Sequence, residues 1–284
     1  MSKQRSPTVF TSFDAMPSSY PVGIFDSGVG GLTVAAAIRT ALPAERLLYL
    51  GDVARQPYGP KSPGTVTRYA VKAAEFLVAR GIKALVVACN TASAVALDAI
   101  AERFPGLTVI GVVEAGAAGA AAASVSGRIV VAATEGTCRS TAYQRAIAKH
   151  RSGTTVTCIP CPLFVALAEE GLSDGTIVES VARHYLEPLF SGEADADCLV
   201  LGCTHFPLLS PALARLAGPA VTLVDCAAAT SALLVTALAG REAPAGQEGG
   251  LTLIATDAPE RFARIAARLF PTLGPSPAVE LADL

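Results

Sequence analysis

Two thiols in matching surroundings are the first chemistry this sequence offers. Cys89 closes the apolar run Ala84-Leu-Val-Val-Ala-Cys89 and is followed by Asn90 and Thr91. Cys203 closes Cys198-Leu-Val-Leu-Gly-Cys203 and is followed by Thr204 and His205. A lone cysteine is more often a small buried hydrophobe than a catalyst, but the same context twice weakens that reading. A thiol between a strand end and a helix start sits where the helix dipole favours thiolate. Two such thiols suit a two-base reaction, in which one thiolate removes a proton from a carbon and the other thiol returns one to the opposite face. Free cysteine titrates near pH ~8.5, so modest tuning leaves one thiol and one thiolate near neutrality. Asp26 and His205 are the groups placed to assist the two transfers.

A second cluster surrounds Val22-Gly-Ile-Phe-Asp26-Ser27-Gly28-Val29-Gly30-Gly31-Leu32-Thr33. A strand runs into a glycine-rich turn that opens a helix, whose free N–H groups can hold an anion. The dinucleotide fingerprint G-x-G-x-x-G is not completed, because Thr33 stands at the third glycine position. A small anionic substrate ranks above a turn selected for packing, and packing ranks above a dinucleotide.

The remaining cysteines admit competing chemistry. Seven cysteines, at 89, 138, 158, 161, 198, 203 and 226, make an odd set without scaffold spacing, so all are expected to be thiols. Cys158-Ile-Pro-Cys161 has the spacing of a redox or zinc pair, with Cys203 and His205 as further conceivable ligands. No second knuckle accompanies it, and it is not expected to open a helix after a strand. Cys158 and Cys161 are therefore expected to be structural, with no metal bound.

The elements that must position these groups follow from the hydropathy pattern. Strands are expected at 22–25, 46–50, 84–88, 108–112, 128–133, 154–159, 197–201, 221–224 and 251–255. Helices are expected at 32–41, 63–79, 92–103, 141–150, 176–190 and 211–217. Solidly apolar strands alternating with helices imply parallel sheets covered on both faces, whose ligands bind at the carboxyl ends of the strands. The residues standing there are Asp26-Ser27-Gly28, Gly51-Asp52, Cys89-Asn90-Thr91, Thr134 with Thr137, and Cys203-Thr204-His205. The weak repeat around the two cysteines points to two pseudo-symmetric, doubly wound α/β domains facing each other across a cleft. Residues 21–113 with 226–284 would form the first domain and 114–225 the second, after a disordered tail over 1–20.

Composition sets the outer limits. The chain has 284 residues, 51% apolar and 16% charged, with a formal net charge of -2, which exclude disorder and a basic nucleic-acid face. Mean hydropathy is +0.47, yet the nearly uncharged stretches 104–127 and 216–240 are rich in Ala, Gly and Thr. They read as buried strands and Ala-rich helices rather than membrane spans. With no signal peptide in the polar start, the expected location is the cytoplasm.

In order along the chain stand Gly23-Ile-Phe-Asp-Ser-Gly-Val-Gly-Gly-Leu-Thr33, Gly51-Asp52 with Pro57-Tyr58-Gly59, Ala88-Cys-Asn-Thr-Ala-Ser93, Cys161-Pro-Leu-Phe-Val165 with Glu169-Glu170-Gly171, and Leu201-Gly-Cys-Thr-His-Phe-Pro207. Together these segments resemble the glutamate racemases of the aspartate/glutamate racemase family, from Pro21 onward. The resemblance implies interconversion of L- and D-glutamate without pyridoxal phosphate, metal or nucleotide, supplying D-glutamate for peptidoglycan. It implies Cys89 and Cys203 as the acid/base thiols. Asp26, Ser27, Tyr58, Gly59, Asn90, Thr91, Thr134, Thr137, Thr204 and His205 are implied as the substrate set. Asp52 matches an acid near the first thiol, and Glu169, or its neighbour Glu170, one that supports the histidine. Two departures are Val53, where the family usually has Thr, and Ala133-Thr-Glu-Gly-Thr137 in place of a Gly-Thr start. Some relatives are dimers, so a homodimer is one assembly the resemblance allows. The competitors are an aspartate- or hydantoin-type racemase of the same fold and a Cys/His metal or redox protein. Chelator-treated protein assayed without pyridoxal phosphate should keep its full racemase activity. Loss on chelation with recovery on adding zinc would restore the metal reading of Cys158 and Cys161.

Overall fold

A computed structural model describes residues 16–190 and 196–284. Ten strands are β1 (Val22–Asp26), β2 (Arg46–Gly51), β3 (Ala84–Val87), β4 (Thr108–Gly111), β5 (Arg128–Ala133), β6 (Thr155–Pro160), β7 (Cys198–Gly202), β8 (Thr222–Asp225), β9 (Gly250–Ala255) and β10 (Val279–Leu281). The helices are α1 (Leu32–Ala41), α2 (Pro63–Ala79), α3 (Asn90–Ser93), α4 (Leu97–Arg103), α5 (Val112–Ala123), α6 (Glu135–Ser140), α7 (Ala142–His150), α8 (Pro162–Glu169), α9 (Thr176–Leu186), α10 (Ser210–Ala217), α11 (Cys226–Ala237) and α12 (Pro259–Leu269).

Two parallel sheets result, ordered β10-β9-β2-β1-β3-β4 and β6-β5-β7-β8. In the first, the chain leaves β1 toward β2 on one side and later lays β3 on the other. In the second, β5 is flanked in the same way by β6 and β7. Each sheet thus has a topological switch point, where carboxyl-end loops diverge and leave a crevice. Asp26 and Cys89 flank one switch point; Thr134 and Cys203 flank the other.

Strand alternation sorts the core into three layers. Val22, Ile24, Leu47, Tyr49 and Val86 of the first sheet join Ile129, Val131 and Val200 of the second in one central cluster with α1, α5, α7 and α11. Phe25, Leu50, Leu85 and Val87 face α2 and α4 on one outer side. Val130, Leu199 and Leu201 face α8, α9 and α10 on the other. Each fully buried Val, Leu, Ile or Phe contributes about 1.5–3 kcal/mol, and the central layer makes the two halves share that stabilisation. The chain crosses between the sheets through α5 and returns through α11, which pack on each other and on α7 and α1. Among the described residues no helix is long and apolar enough to cross a membrane.

Several sequence expectations need correction. The helix expected over 92–103 is two helices, α3 and α4, and the Val95 carbonyl in the break is taken by the Thr67 hydroxyl at 3.2 Å. The helix expected over 176–190 ends at Leu186 and gives way to a 3-10 turn containing Pro188. Short helices α6 and α8 and edge strand β10 have too few periods to stand out, and α12 was also unread. Of the tail expected over 1–20, residues 1–15 lie outside the described residues. Met16 is buried in the core, and the Ser18 carbonyl accepts from Lys83 Nζ at 2.6 Å, so this end of the tail is structured. Cys138 and Cys158 are not free thiols: they form a disulfide between α6 and β6, with Cα atoms 5.4 Å apart.

Lys83 sits fully buried at the start of β3, donating to Glu45 Oε1 at 2.8 Å and to the Arg241 carbonyl at 2.9 Å. Lys83→Met leaves the Glu45 carboxylate buried without its counter-charge and should cost about 3–5 kcal/mol. Denaturant midpoints should show a smaller loss for Lys83→Met combined with Glu45→Leu, which buries no charge.

Candidate active site

Both thiols stand one residue or two beyond a buried strand. Cys89 follows β3 as the N-cap of α3 and is 5% exposed; Cys203 follows β7 and is 7% exposed. They line one cavity of about 40 Å³, together with Ser27, Tyr58, Gly59, Asn90, Thr91, Thr134, Thr204 and His205. Ten residues expected from sequence therefore meet at one place. Gln56, Pro57 and Val165 complete the wall. Gln56 adjoins the Pro57-Tyr58-Gly59 segment, Pro57 belongs to it and Val165 lies inside another of the matching segments, so position along the chain was the signal available for them.

Close backbone approach makes this convergence feasible. A side chain at Gly30 would strike Thr204 Oγ1 and the His205 ring, and one at Gly136 would lie 2.7 Å from the Gly59 carbonyl. The Gly136 N–H instead donates to that carbonyl at 2.8 Å. Beside this seam the hydroxyls of Thr91, Thr134 and Thr137 form a cluster, with separations of 2.8, 3.0 and 3.4 Å. Thr137 does not line the cavity; it supports Thr134, whose side chain also caps α6.

Behind Cys89 lies Asp26, fully buried at the end of β1. Its Oδ2 accepts from the Gly28 N–H at 3.0 Å and from Tyr49, while Oδ1 has no partner. Burial raises its pKa, opposed by the charge of His205 and by backbone N–H donors. Burial, then the nearby Asp26 charge, pushes the Cys89 thiol up to about 12, against the hydrogen bond between the sulfur and the Ser27 hydroxyl, 3.4 Å apart.

The Cys203 side carries the opposite electrostatics. His205 Nδ1 lies 3.8 Å from the Cys203 sulfur, and Nε2 lies 3.2 Å from Glu169 Oε1. Burial disfavours the imidazolium, but hydrogen bonds to Cys203 and Glu169 and nearby negative charge outweigh it and raise the pKa to about 10. Glu169, at the end of α8, is the carboxylate that meets the histidine. Its pKa is lowered: burial acts upward and is outweighed by His205 and by a hydrogen bond from Gln56. Asp52 does not line the cavity. Its carboxylate accepts from Tyr58 Oη at 2.5 Å, Arg55 Nε at 3.1 Å and Thr256 Oγ1 at 2.9 Å, so it holds Tyr58 in the wall. Cys161 is a buried free thiol. No group of three or more His, Cys, Asp or Glu among the described residues is arranged to hold a metal.

Thiols at the ends of two parallel sheets lining one cavity, with a carboxylate behind one and a histidine behind the other, suit an isomerase of the amino-acid racemase class. The model of the Asp/Glu/hydantoin racemase family matches residues 31–234. The glutamate racemase of Geobacter metallireducens is 49% identical over 87% of this chain and 91% of its own length. The crystal structure of the Thermus thermophilus glutamate racemase, in complex with beta-chloro-D-alanine, superposes with a TM-score of 0.84 at 40% identity, covering 94% of this chain and 98% of that one. The Francisella tularensis glutamate racemase, solved in complex with D-glutamate, superposes with a TM-score of 0.85 at 33% identity and the same coverage. The chain belongs to the Asp/Glu/hydantoin racemase family, in its glutamate racemase branch.

His205 should remain charged up to high pH. Since its folded pKa of about 10 lies above the ordinary 6.5, the stability contributed by its charge is complete below about pH 6.5 and is lost as pH rises through about 10. NMR titration of the three histidines should find one still protonated at pH 9. Glu169→Gln should lower that value, because a neutral amide no longer stabilises the imidazolium.

Proposed function

We propose that the chain interconverts L- and D-glutamate by passing a proton between Cα and the thiols of Cys89 and Cys203 on opposite faces of the substrate. The observation that carries this reading is the pair of buried thiols, each beyond a strand at a sheet's switch point, lining a single cavity. The protonated His205 supplies the positive charge with which a thiolate on Cys203 pairs, while Cys89 keeps its proton. That state suits L-glutamate: Cys203 takes the Cα proton and Cys89 returns its own to the other face, giving D-glutamate. In reverse Cys89 must be the base: Asp26, whose acidity is weakened by burial, accepts the Cys89 thiol proton, the Cys89 thiolate takes the Cα proton, and Cys203, protonated by His205, returns one to the other face. Both directions therefore use both sulfurs and one auxiliary group each. The hydroxyls and amide on the wall hold the carboxylates, and the Francisella relative with bound D-glutamate supports that substrate.

In this reading residues 21–113 with 226–284 and residues 114–225 act as two domains, each contributing one thiol. The product would serve as D-glutamate for peptidoglycan, made in the cytoplasm. Asp52 acts through Tyr58 rather than on the substrate.

The decisive measurement follows racemisation in deuterated water by chiral chromatography and mass analysis. Deuterium should accumulate first in the product enantiomer, because the returning thiol has exchanged with solvent. Cys89→Ala and Cys203→Ala should each abolish racemisation in both directions, and the losses should not add in the double variant. Near wild-type turnover of glutamate by Cys203→Ala would overturn the two-base assignment. Aspartate racemised faster than glutamate would favour the aspartate-type competitor.

A further inference from the structure

Asn90 is presented to the cavity by a residue of the other half. Its side chain follows Cys89 directly, is only 3% exposed and lines the cavity. Its Oδ1 accepts from the hydroxyl of Tyr143 at 2.7 Å. Tyr143 lies on α7, in the half built on the second sheet, and is 1% exposed. The same hydroxyl is 3.2 Å from Cys226 Sγ, at the start of the return helix α11. Burial, then the neighbouring Cys226, raises Tyr143 well above the ordinary phenol value, so its hydroxyl is a permanent donor.

An amide side chain has one acceptor end and one donor end. With its oxygen engaged by a hydroxyl whose single proton points at it, Asn90 has one orientation. Its NH2 group then faces away from Tyr143, on the side chain that lines the cavity. Without the tyrosine hydroxyl, the amide could rotate by half a turn and offer its oxygen instead, which repels an anion.

We propose that Tyr143 is a positioning residue for substrate binding: by donating to Asn90 Oδ1 it fixes the amide with its NH2 toward the cavity, as a donor to a substrate carboxylate. The inference deepens the functional reading above and rests on it, since it takes the cavity occupant to be a dicarboxylate amino acid. The bond also crosses between the halves, so this donor is aligned only when they are in the arrangement described here. Tyr143 touches neither Cα nor the sulfurs of the catalytic pair, so its contribution belongs to ground-state and transition-state binding alike. Such uniform binding appears in KM rather than kcat.

Tyr143→Phe keeps the ring in its buried slot and removes only the hydroxyl. Steady-state kinetics with L- and with D-glutamate should show KM raised by about tenfold, as for loss of a hydrogen bond to a charged group, with kcat within about twofold of wild type. Asn90→Ala should raise KM at least as much. Adding Tyr143→Phe to Asn90→Ala should then change KM no further, because the tyrosine acts only through the amide. Thermal melting of each variant gives the folded fraction against which rates are normalised. Unchanged KM in Tyr143→Phe, or a fall in kcat at constant KM, would overturn the inference, as would full additivity in the double variant. If wild-type protein racemised glutamate while Tyr143→Phe bound it normally, this inference alone would fail. Wild-type protein without glutamate racemisation would remove the functional reading beneath it.

Discussion

The seam where the carboxyl ends of two parallel sheets meet governs everything else in this molecule. Strands that run parallel all end at the same edge, and their loops diverge wherever the winding direction changes. This chain does so twice and turns the two crevices toward each other. The approach is close enough that Gly30 and Gly136 have no room for a side chain, and a backbone hydrogen bond joins Gly136 to Gly59 across it. One apolar layer of α1, α5, α7 and α11 backs both sheets, so the seam is held by the same burial that folds the two halves. A pair of thiols on separate halves can serve one carbon only if that layer keeps the edges in register.

Enclosure then sets the charge states. In a cavity of this size, lined by thiols that are less than a tenth exposed, charge is retained only where a partner stabilises it. Cys89 has a buried acid behind it and keeps its proton. Cys203 has a histidine whose charge is secured by Glu169. The two ends of a nearly symmetric scaffold thereby carry opposite electrostatics, a buried acid behind one thiol and a charged histidine behind the other. Gln56 and Tyr143 act one step further out, on Glu169 and Asn90, and both reach across from the opposite half.

Much of this was legible in the residues. Asp26-Ser27, Cys89-Asn90-Thr91 and Cys203-Thr204-His205 announced themselves because each follows a short, solidly apolar run, and parallel topology makes strand ends the place for chemistry. Glu169 was legible only through the family resemblance, since its helix α8 is eight residues long and starts at a proline. Asp52 was read as an acid near the first thiol; in the structure its carboxylate accepts from Tyr58, Arg55 and Thr256. The disulfide between Cys138 and Cys158 could not be read, because nothing in their spacing brings α6 beside β6.

The division follows from the range of the forces involved. Strand and helix periodicity is written in neighbours along the chain, so the alternating architecture, the strand-end thiols and the glycine-rich turn were determined by the sequence itself. Which side chains share an oxygen is decided by groups far apart along the chain, as with Gln56 and Glu169 or Asn90 and Tyr143, and no local pattern encodes that distance. Charge state belongs to the same class. Burial and partner geometry set it, and both exist only after the two sheet edges have closed on one another.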